Sequence, residues 1–592
     1  GDRCRLAFIG EAPAKEEVAA GQPFVGTAGR EFNRWMAGAN LPRSTCYIGN
    51  LSQERAPSDK IERMFVDSKC TKPTERLQSW IDLLKKDLET IRPNCVVALG
   101  NHPLYVLTGK HGITKYWGSI LPCTLVPGIK VIPIPHPSWI IRGMFAMRPI
   151  IMAFLRRAIE EGGFPEIKEV QKEYLLDPPF EIVMHHLHRL MGADAFAFDI
   201  ERPKVKPGEP TFITHISFAD SPHWAMSIPF VKGRHLRWHE NQHAEILRTI
   251  SALMSTKAVK IGHNLMFDFL NISNEWRVYI APPYYDTMVA HNRCYPDLTD
   301  KRLKKWKLNS LAFCTALYTR ETYYKEDYKS ENEDNPAWKG GEQEFMLYNA
   351  KDSAVCYEIM EATKRDLSAF GVYETFADRD MKVFEPLAYM GLRGVLRDQK
   401  LLTEVRQTAT AIMDLNRTRI GEELGEAYNE LSPEALEKTL NSPKQLQKIL
   451  YTDRGHRMQF HRKTGQPTTD EAALKKLARK SNDPIISLIQ QHRRFGKFFD
   501  YLETVIPSDG RTRCTYNQAR TTTFRISSSA SSVDGSGGNL QNIPSYPRPG
   551  EEDYNTLIKE LKKTYIADPG MVMCRRDYKQ GESLIVAYLA ED

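Results

Sequence analysis

The feature that most constrains this chain is an apolar strand that ends in two acids. In Phe196-Ala-Phe-Asp199-Ile-Glu201 the two carboxylates are two residues apart, so both leave the same face of an extended segment. Carboxylates held side by side repel unless a cation lies between them. Two further acidic segments follow. One is Ile261-Gly-His-Asn264-Leu-Met-Phe-Asp268, and the other is Tyr348-Asn-Ala-Lys-Asp352, a helical stretch in which Tyr348 and Asp352 share a face at i and i+4. A single Asp-x-Glu is more often a solvated strand edge. The weight rests on all three motifs in order. Asp199, Glu201, Asp268 and Asp352 suit a two-metal phosphodiesterase site, with two Mg²⁺ ions, or Mn²⁺, activating water and stabilising a leaving 3′-oxygen. Tyr348 is expected to position the attacking water.

At 592 residues the chain exceeds one hydrophobic core, so three or more domains are expected in an α/β multidomain fold. Residues 1–160 alternate short apolar strands, such as Val96–Gly100 and Val131–Pro135, with an amphipathic helix from Glu75 to Ile91. Residues 161–180, with Gly162-Gly163 and Pro178-Pro179, read as a linker. Residues 181–370 again mix strands and helices, and 376–592 turn mainly helical. Ser527–Gly538 is Ser/Gly-rich and is expected to be a mobile loop. Ten cysteines include no CxxC pair, which predicts reduced thiols rather than a zinc or disulfide framework. A net charge of +7 is compatible with a phosphate-bearing partner. No apolar run has the length of a membrane span and no secretory signal opens the chain, so a cytoplasmic protein is expected. The first residue is Gly1, not Met, and the true start is expected to be missing.

The three acidic motifs together resemble the DEDD 3′-5′ exonucleases with Tyr in the third motif, over about 190 residues. From Met381 the chain resembles family A DNA polymerases. Lys463-Thr-Gly-Gln-Pro-Thr-Thr-Asp470 and Arg493-Arg-Phe-Gly-Lys497 look like the thumb, where Lys497 would meet duplex phosphates. Tyr516–Ser528 and Asn539-Leu-Gln541-Asn542-Ile-Pro544 resemble motifs that line the primer-template groove. The resemblance implies backbone or primer-end contact for Arg525, and minor-groove contact for Gln541 and Asn542. Ser529–Gly538 is an insertion between them. Met571–Leu589 resembles the family's motif A, which implies that Asp577 binds the catalytic metals, with Tyr578 and Glu582 at the nucleotide and Glu582 crowding the sugar 2′ position. Lys579, Gly581 and Ser583 depart from the usual motif. The fingers helix and the second acidic motif are not found before Asp592. Nucleotidyl transfer on dNTPs is therefore expected to need a second polypeptide, as in a split polymerase, or the remainder of a longer chain.

Phe8-Ile-Gly10-Glu11-Ala-Pro13, Gly21–Gly29, Tyr47-Ile-Gly-Asn50 and His136-Pro-Ser138 resemble family 4 uracil-DNA glycosylases. The resemblance implies that Glu11 activates water, Phe24 stacks on a flipped base, Asn50 reads the uracil edge and His136 stabilises the uracil anion. Ala14 stands where the family has Gly, and no cysteine set at ligand spacing is found, so no iron–sulfur cluster is expected. A live glycosylase and a retired fold kept for DNA or protein docking both remain open. The expected whole is a proofreading DNA polymerase part with DNA as partner, in bacteriophage replication. The alternatives are a stand-alone repair exonuclease and a DNA-binding scaffold.

Overall fold

The computed structural model describes residues 5–168, 170–209, 211–233, 235–322, 324, 341–462, 465–544, 552–574 and 579–590. They form two compact units. The first comprises Gly1–Val205, Pro210–Tyr389 and Tyr516–Ser527; the second comprises Lys206–Glu209, Met390–Thr515 and Ser528–Asp592. The architecture is α/β and multidomain, as the sequence predicts.

The first unit opens with five strands, β1 (Leu6–Gly10), β2 (Cys46–Asn50), β3 (Cys95–Leu99), β4 (Leu121–Pro122) and β5 (Lys130–Ile134). They lie in the order β2-β1-β3-β5-β4, parallel except for β4. Helices α1 (Thr27–Gly38), α2 (Glu75–Ile91), α3 (Asn101–Thr108) and α4 (Arg148–Glu161) flank this sheet. Alternation along the strands splits the core. Leu6, Phe8, Val97, Ile132 and Ile134 face α1 and α4, whereas Ala7, Ile9, Val96, Ala98 and Val131 face α2 and α3. Helix α2 begins where the Thr74 hydroxyl accepts the Leu77 N–H and buries Leu77, Ile81, Leu84 and Leu88 along one stripe.

A second sheet follows, from β6 (Glu173–Leu176), β7 (Ala195–Glu201), β8 (His215–Ser221), β9 (Trp224–Pro229), β10 (Val259–Gly262) and β11 (Tyr284–Asp286). Its order is β11-β10-β7-β8-β9-β6. The strands β7-β8-β9 are antiparallel, and β10 and β11 run parallel to β7. Helix α5 (Met266–Glu275) starts just after β10, helix α6 (Leu311–Tyr318) lies further on, and the long helix α7 (Glu342–Ala369) packs across β7, β8 and β9.

In the second unit α8 (Gln399–Leu424), α9 (Pro484–Leu502) and α10 (Glu552–Lys563) bury Leu402, Val405, Met413, Phe495, Phe498, Leu557 and Leu561 together. Beside them β12 (Val395–Arg397) pairs antiparallel with β13 (Arg511–Thr512) and β14 (Tyr565–Ile566). The Ser/Gly-rich tract, expected to be a mobile loop, forms a hydrogen-bonded turn over Ser531–Gly537 in this unit. Ser531 N–H donates to the Ser536 carbonyl at 2.8 Å, and Gly537 N–H donates to the Val505 carbonyl at 3.1 Å. Small side chains permit this backbone proximity: a Cβ on Gly537, at φ +68°, would lie 1.8 Å from the Arg513 carbonyl oxygen.

Candidate active sites

Strand β7 delivers Asp199 and Glu201 on one face, and α7 brings Asp352 over them. One carboxylate oxygen from each of the three lies within 4.8 Å of the others. Asp268, on α5, is buried beside them and accepts the N–H of Ile200, the residue between Asp199 and Glu201, at 3.0 Å. Burial, with Asp286 and Asp352 adding repulsion against the opposing backbone donors, pushes its carboxyl up to about 8. Carboxylates crowded in this way offer the oxygen ligands that a divalent-cation site needs. Tyr348 lies one turn before Asp352 on α7. Burial and the surrounding carboxylates Asp352, Glu201 and Asp199 raise its hydroxyl well above the ordinary tyrosine range. All five residues singled out in the sequence therefore converge.

Three supporting residues are not singled out by the sequence motifs. Asn349 is fully buried on α7; its amide donates to the Asp199 side chain at 3.1 Å, and its amide oxygen accepts the Ser227 hydroxyl at 2.8 Å. The Ser217 hydroxyl, opposite Asp199 on β8, donates to the Asn349 carbonyl at 2.8 Å. The Tyr324 hydroxyl donates to Asp352 Oδ1 at 2.5 Å. Asn349 stands inside the Tyr348–Asp352 motif, which is a signal of a kind; Tyr324 carries none. Asp286 has a structural role. Its carboxylate accepts the N–H groups of Asn264, Leu265 and Met288 at 2.9–3.1 Å and caps the helix Thr287–Cys294.

In the N-terminal domain Glu11, Phe24, Asn50 and His136 gather at the carboxyl ends of the parallel strands. A Cβ on Gly10 would lie 2.4 Å from Asn50 Oδ1 and 2.6 Å from Phe24 Cζ, so only glycine fits between them. Phe24 takes a left-handed φ of +56°. Glu17 accepts its N–H, Arg43 donates to its carbonyl at 3.2 Å, and a Cβ on Gly29 would lie 2.0 Å from that carbonyl oxygen. The Phe24 and His136 rings are 5.9 Å apart. His136 Nδ1 accepts the Ser138 N–H at 3.2 Å, so Nε2 carries the proton of the neutral ring. Burial lowers the His136 pKa against the pull of Glu11. Glu11 pairs with His102 Nδ1 at 2.8 Å, a partner with no sequence signal. Desolvation works to raise the Glu11 pKa, but the His102 hydrogen bond and the nearby His136 and Arg142 hold it below the usual range.

The remaining candidates are dispersed. Arg525 is exposed in the first unit. In the second, Lys497 is exposed on α9, and Gln541 and Asn542 lie exposed in a short turn whose Asn542 carbonyl accepts the Tyr501 hydroxyl at 2.6 Å. Glu582 is exposed at the start of the helix Gly581–Leu589. Asp577 and Tyr578 lie outside the described residues, as do Lys463 and Cys4. Among the described residues no helix is long and apolar enough to cross a membrane.

The chain thus carries two candidate sites, four side chains gathered at the strand ends of one α/β domain and an acidic cluster on the mixed sheet of the next. Residues 1–158 match the uracil DNA glycosylase superfamily, 170–368 a 3′-5′ exonuclease family and 411–592 DNA polymerase family A. The type-4 uracil-DNA glycosylase of Thermotoga maritima is 32% identical over 157 residues, which are 26% of this chain and 76% of that protein. DNA polymerase I of Pseudomonas aeruginosa is 26% identical over 462 residues, covering 74% of this chain and 46% of that protein. The chain thus spans about half the length of that polymerase. A solved structure, the POL domain of Pol1 from M. smegmatis in complex with DNA primer-template and dNTP, shares the fold with a TM-score of 0.50 at 17% identity, over 71% of this chain and 63% of that one. The N-terminal region belongs to the uracil-DNA glycosylase superfamily, and the regions that follow it carry the matches to a 3′-5′ exonuclease family and to DNA polymerase family A.

Proposed function

We propose that the middle domain removes nucleotides from DNA 3′ ends and edits for the polymerase region that follows it. The observation that carries this is the approach of Asp199, Glu201 and Asp352 to within 4.8 Å, with Asp268 buried alongside. Divalent cations held by these acids, Mg²⁺ or Mn²⁺, would supply Lewis-acid activation of water and charge neutralisation at the leaving 3′-oxygen. The chain's own residues do the rest. Asn349 fixes the rotamer of Asp199, Tyr324 holds Asp352, and Tyr348 orients the water for attack on the terminal phosphorus. A narrow acidic cleft favours frayed single-stranded ends over paired duplex. The test is degradation of a 3′-labelled primer-template. Asp199→Ala, or chelation of the divalent ions, is expected to lower the rate by about 10³-fold or more; undiminished degradation by Asp199→Ala would defeat the reading.

The polymerase roles of Asp577, Tyr578, Glu582, Lys497, Arg525, Gln541 and Asn542 belong to the same proposal, as do the domain limits 1–160, 181–370 and 376–592. So do completion of the fingers and palm by further residues or a second polypeptide, and a setting in bacteriophage replication in the bacterial cytoplasm. Primer extension with dNTPs tests the need for completion: robust synthesis by the 592-residue chain alone would refute it.

The N-terminal pocket supports a second activity, removal of uracil from DNA. Glu11 would activate water, Asn50 read the base edge, Phe24 stack on the base, and Nε2–H of neutral His136 donate to the departing anion. Alkali-labile sites should appear in uracil-containing DNA with the intact chain and fall by about 10²-fold with Glu11→Gln. Equal yields from both would leave a pocket that only binds.

A further inference from the structure

The core of the N-terminal domain is completed by residues that lie within the exonuclease region. Leu298, Leu303, Leu308, Phe313 and Leu317 are buried in the same cluster as Phe8, Phe32, Trp35 and Ile134. Between them Trp306 meets Trp139 edge-on at 5.0 Å, and Trp139 packs on Trp117 at 5.2 Å. Trp139 belongs to the short helix Pro137–Ile141, which His136 caps, so the anchored segment abuts the loop that builds the pocket.

What this segment leaves outside is cationic. Lys301, Arg302, Lys304, Lys305 and Lys307 are all exposed on one short turn, which Lys307 closes at φ +50°. Asp300 pairs with Arg302 at 3.0 Å, and Asp297 is the other acid nearby in sequence, so cations remain in excess. Arg302 reaches the end of the pocket helix, where a Cβ on Gly143 would lie 4.0 Å from its Nη1. Exposed Arg142 stands next to that glycine and contributes to the field felt by Glu11 and His136. An ordinary solvated turn needs neither five cations nor a tryptophan anchor in a neighbouring domain.

We infer that residues 301–307, with Arg142, form the phosphate-binding rim of the N-terminal pocket. The site is composite: one domain supplies the pocket for an extruded base, the other the cations that hold the flanking DNA strand. The inference rests on the reading of the pocket as a base-binding site. Extruding a base costs unstacking energy, which contacts to the neighbouring backbone phosphates help to offset, and lysines on a short turn make such contacts without reading sequence.

The experiment uses the full chain carrying Asp199→Ala and Glu11→Gln, so that the probe stays intact. The probe is a single-stranded oligonucleotide with one central uracil, compared with the same strand bearing thymine. Hydrogen exchange is followed in segments 137–143 and 301–307, and affinity is measured against salt. The uracil strand is expected to protect both segments together. Lys301→Gln, Lys304→Gln, Lys305→Gln and Lys307→Gln combined should weaken uracil-strand binding by about tenfold and make the slope of log K against log salt shallower by about 2. Protection of 137–143 without 301–307, or an unchanged affinity and slope in the fourfold variant, overturns the composite site while leaving the pocket reading intact. Absence of uracil-dependent protection at 137–143 overturns both.

Discussion

Asn349 shows how a single buried amide can govern an acidic centre. It donates to the Asp199 carboxylate and is itself fixed by Ser227. Replacing it with alanine removes the donor without adding bulk. Asn349→Ala is expected to raise the Mg²⁺ concentration needed for half-maximal 3′→5′ degradation by about 10-fold, with a smaller fall in rate at saturating metal. Unchanged metal dependence would show that the carboxylate needs no such support. The residues that could be read directly from sequence are those whose chemistry repeats at a short period. Asp199 and Glu201 are two apart on a strand, and Tyr348 and Asp352 four apart on a helix. Asn349, Tyr324 and His102 were not legible in this way, because each closes its contact with a residue distant in sequence and only the tertiary fold brings the partners together. Asp577 and Tyr578 rest on motif resemblance alone.

Among elements, legibility follows local physics. The helix Glu75–Ile91 matches its expected limits because a capping threonine and a regular apolar stripe act within the segment itself. The turn Ser531–Gly537 is not legible in this way, since composition reports the freedom of a chain and not its hydrogen-bond partners. Its geometry depends on Gly537, whose φ of +68° and close approach to the Arg513 carbonyl exclude a side chain. Gly537→Ala should therefore destabilise the second unit by about 1–3 kcal/mol, visible as an earlier unfolding transition in calorimetry. A substitution with no effect would mean that the turn relaxes freely in solution.

At the scale of the molecule, one buried cation joins parts distant in the chain. The Lys130 ammonium, fully buried at the start of β5, donates to Glu161 at 2.8 Å and to the carbonyls of Phe164 and Glu166 at 2.8 and 3.0 Å, while Glu161 also receives Arg320 from the exonuclease region. Lys130→Met takes from the Glu161 charge one of its two cationic partners, the fully buried one, in a dry interior. A loss of about 3–5 kcal/mol is expected in the unfolding of the first unit, measured with denaturant on the whole chain; a shift below 1 kcal/mol would show that Arg320 alone suffices. Arg157 makes a similar tie, its guanidinium donating to Gly118 and to the Ala316 and Leu317 carbonyls. With Leu298, Leu303, Leu308, Phe313 and Leu317 also set into the N-terminal core, that domain lacks part of its own interior until residue 317 is available. During synthesis the first 160 residues therefore leave the ribosome as a domain with an open flank, and they wait for roughly as much chain again before that flank is sealed.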